Sequence, residues 1–575
     1  MTTRATRSPA PADWRTDRRL ARLAVAILPL LAFARALPHP LMRSWDDARF
    51  IIDNADVQRP SWAALARMFS SVQFEAYHPL HLLSYWLDVP LASALAGPDS
   101  TLTAFIVHSV SLALWLVALQ QVFALLCELG VPVWAAALGT LFAGVHPAQV
   151  EVVSWASARK DVLALLFCAA SLRAQLSAAG PWTSRAWLAR GLYVCALLSK
   201  TTALPLPLFG LCLAVWVRNR PLRAALLWQL PSLLLGAGVS VAVLSIWQEH
   251  SMVRGTLGGP GLALLRASQT LGHQLLTALW PARVAPMYST HSIGELSWVR
   301  SSACVAYVIA CVLAWRARRG LTLTGLLGFG LWLLPASNLV PLYFPLQDRY
   351  VSLPLFSLGC AIAGLAPAAA PARDPRRFQL RNLGYLLLLC ALVRTVSYAG
   401  VWESEPRLWG HAVRTQPDAE YARLKLGEVR REAGDFEGAI RAYRNAIALV
   451  PQRKLAHAGL FEVVARRDER QRHLTPSRAR AFAQSYYELL ERPTGLRDLA
   501  AQLHARDYVR AIELPLWAVQ QQDPLPDAVL SQAALSALRA GNASLARFYV
   551  HLLTKPPEHE PLISVMREPY LRVVP

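Results

Sequence analysis

Apolar residues along the chain come in long runs, as at 112–126, 224–246 and 383–393. Runs approaching 20 residues are what the hydrocarbon thickness of a bilayer demands of a helix. The pattern predicts helical spans near 20–37, 101–126, 132–147, 161–178, 186–199, 201–217, 224–247, 299–315, 321–336, 350–367 and 382–399. That is about eleven crossings by length and hydropathy. The apolar stretch 261–280 is expected to be an interfacial or re-entrant helix, because a further crossing there would invert the basic loop at Arg316, Arg318 and Arg319. The expected fold class is all-α.

Composition agrees with the pattern. The 575 residues are 54% hydrophobic and 17% charged, with mean hydropathy +0.31, where soluble domains carry about 25% charged residues. A soluble enzyme, a disordered tail and a secreted disulfide scaffold are excluded. The net charge of +21 is unevenly spread. Residues 401–575 hold 25 Lys and Arg against 21 Asp and Glu, and the first 400 hold 33 against 16. The positive excess therefore belongs to the membrane part, where it sets topology and meets lipid headgroups, and no nucleic-acid partner is expected. The eight cysteines lie in or beside apolar segments without a CxxC pair, so they read as buried small hydrophobes and not as metal ligands or disulfides.

Arginine clusters orient the spans. Arg15, Arg18, Arg19 and Arg22 precede the first run, which Pro38, His39 and Pro40 follow without a small-residue cleavage site, so it reads as an uncleaved span. The clusters at 218–223, 316–319 and 373–381 join it on the cytoplasmic face by the positive-inside rule. Segments 38–100, 148–160, 199–201, 248–298 and 337–349 then fall on the outer face, with everything from residue 401 onward. Heavy arginine and alanine usage suggests a bacterium, and hence an inner-membrane protein with a cytoplasmic N-terminus and a periplasmic C-terminal region.

That C-terminal region repeats itself. Trp402, Trp409, Ala412 and Pro417 recur 34 residues later as Phe436, Tyr443, Ala446 and Pro451. Leu426, Gly427, Gly434 and Ala439 occupy positions a tetratricopeptide repeat requires. Weaker units follow at Tyr508, Ala511 and Ala518, then at Gly541, Ala546 and Pro556. Such units stack to bury their apolar faces and offer a concave surface for a peptide or protein. The expected organisation is a multi-span domain over 1–400, with a first outer loop at 38–100, and a repeat domain over 401–575.

The ionisable residues gather at span ends on the outer face. Trp45-Asp46-Asp47 lies just past the first span, and a carboxylate there is suited to take a proton from an incoming hydroxyl. His146, Glu151, Trp155 and Arg159-Lys160-Asp161 sit between two spans, Ser199-Lys200-Thr201 between two more, and Ser337-Asn338 and Asp348-Arg349-Tyr350 in a late loop. Only five lysines exist, and the membrane half has Lys160 and Lys200 alone. Since arginine supplies generic positive charge elsewhere, these lysines fit the neutralisation of a lipid-linked phosphate.

Trp45-Asp46-Asp47, Pro79-Leu80, His146-Pro147 through Asp161, Ser199-Lys200-Thr201, Leu334-Pro335 through Leu339 and Asp348-Arg349-Tyr350 occur in this order and precede the repeats. Over residues 40–455 the chain resembles the transmembrane and tetratricopeptide repeat-containing O-mannosyltransferases of the GT-C glycosyltransferase superfamily. The resemblance implies an inverting transferase that moves a sugar, such as mannose, from a polyprenyl-phosphate donor to a hydroxyl of a protein or glycan acceptor. It assigns Asp46 or Asp47 to acceptor activation, Arg159, Lys160, Lys200, Arg349 and His78 to the donor phosphate, and His146, Glu151 and Asn338 to shaping the site. His78 departs from the pattern, which has arginine before the Pro-Leu pair. No cofactor is expected, and no ligand set demands a divalent ion on the acidic pair. The competing reading is a non-catalytic membrane scaffold whose repeats dock a protein. A transporter would want its ionisable groups at mid-bilayer, and a nucleotide-driven pump would want a phosphate loop.

Overall fold

The computed structural model describes residues 14–72, 77–249, 259–289, 293–366 and 375–450, with isolated positions beyond. Among the described residues the ordered elements are helices, and no β-strand occurs. Two compact units divide the chain, Met1–Ala419 and Glu420–Pro575. The division falls later than residue 400, because Trp402, Leu408, Trp409 and Ala412 are fully buried within the first unit. The first expected repeat helix, Glu405–Thr415, therefore belongs to the membrane-type unit.

Four helices are long and apolar enough to cross a membrane: Thr101–Glu128, Leu222–Ile246, Trp298–Arg316 and Arg381–Glu403. Shorter apolar helices follow at Val133–Gly144, Thr201–Val217 and Gly320–Ala336. The remaining segments read as spans form Trp14–Phe33, Arg159–Leu176, Ser184–Ser199 and Ser352–Gly364. Prolines shorten or break several elements. Pro147 opens a 3-10 turn after Gly144, and the 201–217 segment passes from 3-10 through α to π geometry around Pro205 and Pro207. Each freed carbonyl or N–H near such a break must be satisfied by a neighbour. Thr395 Oγ1 donates to the Val145 carbonyl at 2.7 Å, for example.

The stretch expected to be interfacial or re-entrant is one continuous helix, Pro260–Leu279. Its buried side carries Arg266, Gln269, Thr270, Gln274 and Thr277, so a polar stripe faces protein. Gly272 is needed there, since a Cβ would stand 2.2 Å from the Arg300 carbonyl oxygen.

The first loop is a small folded assembly. Short helices Ala55–Gln58, Trp62–Ser70, Pro79–Ser84 and Val89–Ala96 close over Leu41, Phe50, Ile51, Met68, Leu82 and Tyr85. Ser61 and Asn54 cap two of them through their side-chain oxygens, which satisfies otherwise orphaned N–H groups.

In the second unit, helices Glu420–Glu432 and Phe436–Leu449 form a hairpin. Gly434, at φ +78°, supplies the left-handed turn, and the Asp435 carboxylate caps the second helix at the Gly438 N–H, 2.9 Å away. The Tyr443 ring lies against Gly427, where a Cβ would meet it at 2.7 Å. The later expected units at Tyr508, Ala511, Ala518, Gly541, Ala546 and Pro556 lie outside the described residues, as does Pro451.

Helices Val133–Gly144 and Ser352–Gly364 cross at Gly139 and Gly359, each of whose Cβ positions would fall within 2.4 Å of the other's carbonyl oxygen. The nearest atoms are backbone carbonyls, with the Ala363 and Ala143 methyl groups just beyond, so relief requires the helices to part. Gly139→Ala and Gly359→Ala are each expected to destabilise the detergent-purified protein by about 1–3 kcal/mol, the usual result of overpacking. Thermal unfolding followed by size-exclusion chromatography checks this, and an unchanged midpoint would mean that the crossing is looser than described.

Candidate active site

The first-loop acids differ sharply. Asp47 is 1% exposed. One oxygen accepts from the Met42 N–H at 2.8 Å, and the other from the Ser157 N–H at 2.9 Å and the Ser157 hydroxyl at 2.5 Å. Burial pushes its carboxyl up to about 7, against the pull of these three donors. Asp47 thus joins the turn after the first span to the turn before Arg159. Asp46 is half-buried, and its carboxylate is spared that task. Its backbone carbonyl accepts from Phe50 at 2.9 Å, opening the π-helical turn Ala48–Ile52.

Tryptophans surround this turn. The Trp45 ring lies 4.5 Å from Trp155, 5.1 Å from Trp409 and 6.0 Å from Trp402 between centroids. Trp409 Nε1 donates to Ser44 Oγ at 2.8 Å, and the Ser44 N–H donates to Glu405 Oε1 at 2.6 Å. The segment that leaves the last long helix is therefore bolted to the acid-bearing turn. The repeat reading picked out Trp402 and Trp409 but missed this use of them, since nothing in the 34-residue period points back to Ser44.

The cations fall into two groups. Arg159 is fully buried, and its guanidinium is consumed by both Asp88 oxygens, Ser111 Oγ at 2.9 Å and the carbonyls of Ser84 and Val107. It also lies 4.5 Å over the Tyr85 ring. This corrects its assignment to the donor phosphate: every donor direction is occupied, and its role is to fasten the first loop to the bundle. Asp88, its partner, carried no local sequence signal.

Lys200 pairs with Asp161, and Arg349 pairs with Glu151, whose second oxygen accepts the Arg349 N–H at 3.0 Å. The Arg349 guanidinium lies 5.0 Å from the centre of Trp155 and 5.8 Å from that of Trp45. Lys160 differs from all three. Its ammonium stands 4.9 Å from the Phe50 ring and 5.8 Å from Trp155, with no carboxylate in ion-pair reach among the described residues. In the first turn of its helix it is pulled down to about 8 by burial, with Lys200 and Arg349 adding repulsion and Asp46 and Asp161 opposing.

His78 is pushed down to about 3 by burial and by Lys160 and Lys200. That shift favours the uncharged imidazole, which suits a hydrogen bond to a phosphate. His146 Nε2 donates to the Ala278 carbonyl at 3.1 Å, while Nδ1 accepts from Ala148 at 3.2 Å, so the imidazole is neutral and caps the turn. Asn338 adopts φ +60° and donates to Pro345 O at 2.7 Å and Thr270 Oγ1 at 3.0 Å, shaping the loop that ends in Arg349. Asp348, which sequence reasoning left unassigned, anchors that loop through the Ala285 N–H at 2.9 Å and the Tyr288 hydroxyl at 2.5 Å.

A cavity of about 400 Å³ lies beside Thr201, the residue after Lys200. Thr201, Ser337 and Asn338 line it, with Tyr193, Leu208, Leu233, Gly236, Val243 and Leu244. Among the described residues, no group of three or more His, Cys, Asp or Glu could hold a metal ion.

No family model matches the chain, and none of the curated proteins does. Among solved structures, it is similar to ArnT from Cupriavidus metallidurans bound to undecaprenyl phosphate, at 15% identity over 86% of this chain and 81% of that one, with TM-score 0.33. That degree of overlap transfers no residue roles.

Asp88→Asn would leave the Arg159 guanidinium buried without its counter-charge. Such breaks cost roughly 3–5 kcal/mol, so the variant is expected to lose most of its folded yield in detergent. Wild-type recovery and thermal midpoint in Asp88→Asn would contradict the structural role given to Arg159.

Proposed function

We propose that this chain is an inverting glycosyltransferase of the GT-C kind, acting at the outer membrane–water interface. It takes a sugar, such as mannose, from a polyprenyl-phosphate donor and passes it to a hydroxyl of a protein or glycan. The observation that carries the reading is a Lys160 with no ion-paired carboxylate among the described residues and with half-buried Asp46 as the acid that most favours its charge, in the same ionic layer as Lys200, whose chain neighbour Thr201 lines an apolar cavity.

The chemistry follows from those parts. Asp46 accepts the proton of the acceptor hydroxyl, whose oxygen attacks the anomeric carbon as the bond from that carbon to the phosphate oxygen breaks. The phosphate leaves with the bonding electrons and is neutralised by Lys160. A single displacement inverts the anomeric centre and needs no covalent enzyme intermediate. The leaving group is already activated, so the electrostatic task is to stabilise its charge in a water-poor setting. Lys200 and Arg349, held by Asp161 and Glu151, fix the field around that site. Asp47 positions Asp46 by holding the turn. The cavity along the Leu222–Glu249 helix suits the prenyl chain, and tetratricopeptide-type repeats after residue 419 would engage the acceptor on the periplasmic side.

The test is transfer from labelled polyprenyl-phosphate hexoses by membranes containing the protein. Asp46→Asn is expected to lower transfer by about 100-fold or more, the usual range for losing a general base, without changing folded yield. Full activity in that variant would reject the carboxylate's role. No transfer by the unaltered protein from any hexose donor would favour the docking scaffold.

Lys160 adds a pH signature. Its ammonium is lost as pH rises through about 8, so donor turnover at low donor concentration is expected to fall across that range. Lys160→Arg should carry the alkaline limb upward by at least one pH unit, since arginine stays charged. An alkaline limb that does not move with this substitution would remove Lys160 from the phosphate site.

A further inference from the structure

The helix Arg159–Leu176 carries Lys160 in its first turn. About 27 Å away, at 1.5 Å per residue, its other end meets a second polar pocket of about 80 Å³. Gln175, Gly210, Arg218, Arg220, Trp228 and Gln229 line it.

Three features make this more than a gap between helices. Gln229 is only 3% exposed, yet neither its amide nor that of Gln175 has a hydrogen-bond partner among the described residues. Polar groups in membrane helices that lack a protein partner face a ligand or water. Gly210 makes room for both amides: a Cβ there would stand 2.5 Å from Gln229 Nε2 and 2.9 Å from Gln175 Oε1. Finally, two guanidinium groups share the pocket's lip. Asn219, at φ +51°, ends the preceding helix in a left-handed turn, and the Arg220 N–H returns to the Ala214 carbonyl at 2.9 Å. That turn brings Arg218 and Arg220 to the same opening, with the Arg220 guanidinium 5.0 Å over the Trp228 ring. Neither arginine has a carboxylate partner among the described residues.

We propose that this pocket binds the phosphate of an anionic lipid headgroup from the cytoplasmic leaflet. The two guanidinium groups would hold the phosphate charge, and the glutamine N–H groups would reach its oxygens. Basic pockets between helices on the cytoplasmic side are suited to such headgroups. A lipid and not a free anion is the occupant because the pocket adjoins an open apolar face. Leu222, Leu226, Leu227 and Leu230 are 41–61% exposed on the helix that also carries Trp228 and Gln229, and they offer the acyl chains a surface. Positive-inside topology accounts for the arginines alone but not for unpartnered amides beneath them. The inference is independent of the transfer reaction proposed above.

Native mass spectrometry of the full-length protein in detergent tests it, with phosphatidic acid, phosphatidylcholine of the same chains, and inorganic phosphate as separate probes. Phosphatidic acid is expected to be retained at least 10-fold more strongly than phosphatidylcholine. The Arg218→Ala/Arg220→Ala pair should abolish that preference. Gln229→Leu, which keeps helix and volume, should reduce it by 3-fold or more, and Arg218→Lys/Arg220→Lys should keep part of it. Equal retention of both lipids would overturn the proposal. So would an equal loss from Arg316→Ala/Arg318→Ala on a different basic loop, or binding of inorganic phosphate with no preference for the lipid. Size-exclusion profiles matching the unaltered protein are required of each variant, and Gln229→Leu or the lysine pair carries the test if the alanine pair fails to fold.

Discussion

A charge taken out of water at the edge of a membrane must find a counter-charge close by or lose its ionised form. That constraint organises the polar end of the first unit. Asp88 with Arg159, Asp161 with Lys200 and Glu151 with Arg349 are buried pairs between segments far apart in the chain. Pairs of this kind add little stability over well-packed apolar residues, but breaking one is expensive. Their effect is therefore on registry. Each pair admits only one arrangement of the loops that carry it, and the Asp47–Ser157 hydrogen bonds add a fourth joint. With the loops thus pinned, Lys160 stands apart from these paired cations. It is held among the Phe50 and Trp155 rings without a salt bridge among the described residues, with Asp46 and Asp161 as the acids that favour its charge.

The apolar part follows a different logic. Lipid supplies no hydrophobic drive between helices, so close backbone approach does the work. Gly139 against Gly359, Gly325 against Ser357 and Ala361, and Gly272 against Arg300 are points where small residues let helices touch. Because these contacts are backbone to backbone, the helices have little freedom to slide. The ionic layer at their ends inherits that rigidity, which a site needs if its groups are to keep their distances.

Much of the arrangement was legible in the sequence, and the parts that were not share a cause. Hydropathy and arginine clusters located most of the helices and predicted that 38–100, 148–160, 199–201, 248–298 and 337–349 lie at one end. The contacts of Asp47 with Ser157, Lys200 with Asp161, Glu151 with Arg349 and Asp348 with Ala285 bring those segments together. What could not be read was which charges neutralise one another. Arg159 and Lys160 are adjacent in sequence and look equivalent, yet successive helical positions face different directions. One points into Asp88 and the other toward Phe50 and Trp155. In the same way Asp46 and Asp47 look interchangeable, and the Met42 and Ser157 donors, which reach Asp47, separate them. The boundary near residue 400 was drawn from charge, a property of solvent exposure. Trp402 and Trp409 lie beyond it and are claimed by Trp45.

His78 shows how the charge balance extends to a residue that carries none. An arginine there would add a permanent cation beside Lys160 and Lys200 without adding an acid. Of the two acids that oppose the repulsion on Lys160, Asp161 is paired with Lys200 and Asp46 has the larger effect, and the proposed reaction needs Asp46 free to accept a proton. Further positive charge would pull Lys160 lower still. A neutral imidazole avoids this while leaving a polar ring at the mouth of the Pro79–Ser84 helix. A histidine at position 78 is thus consistent with a site whose total charge is limited by the small number of carboxylates available to it.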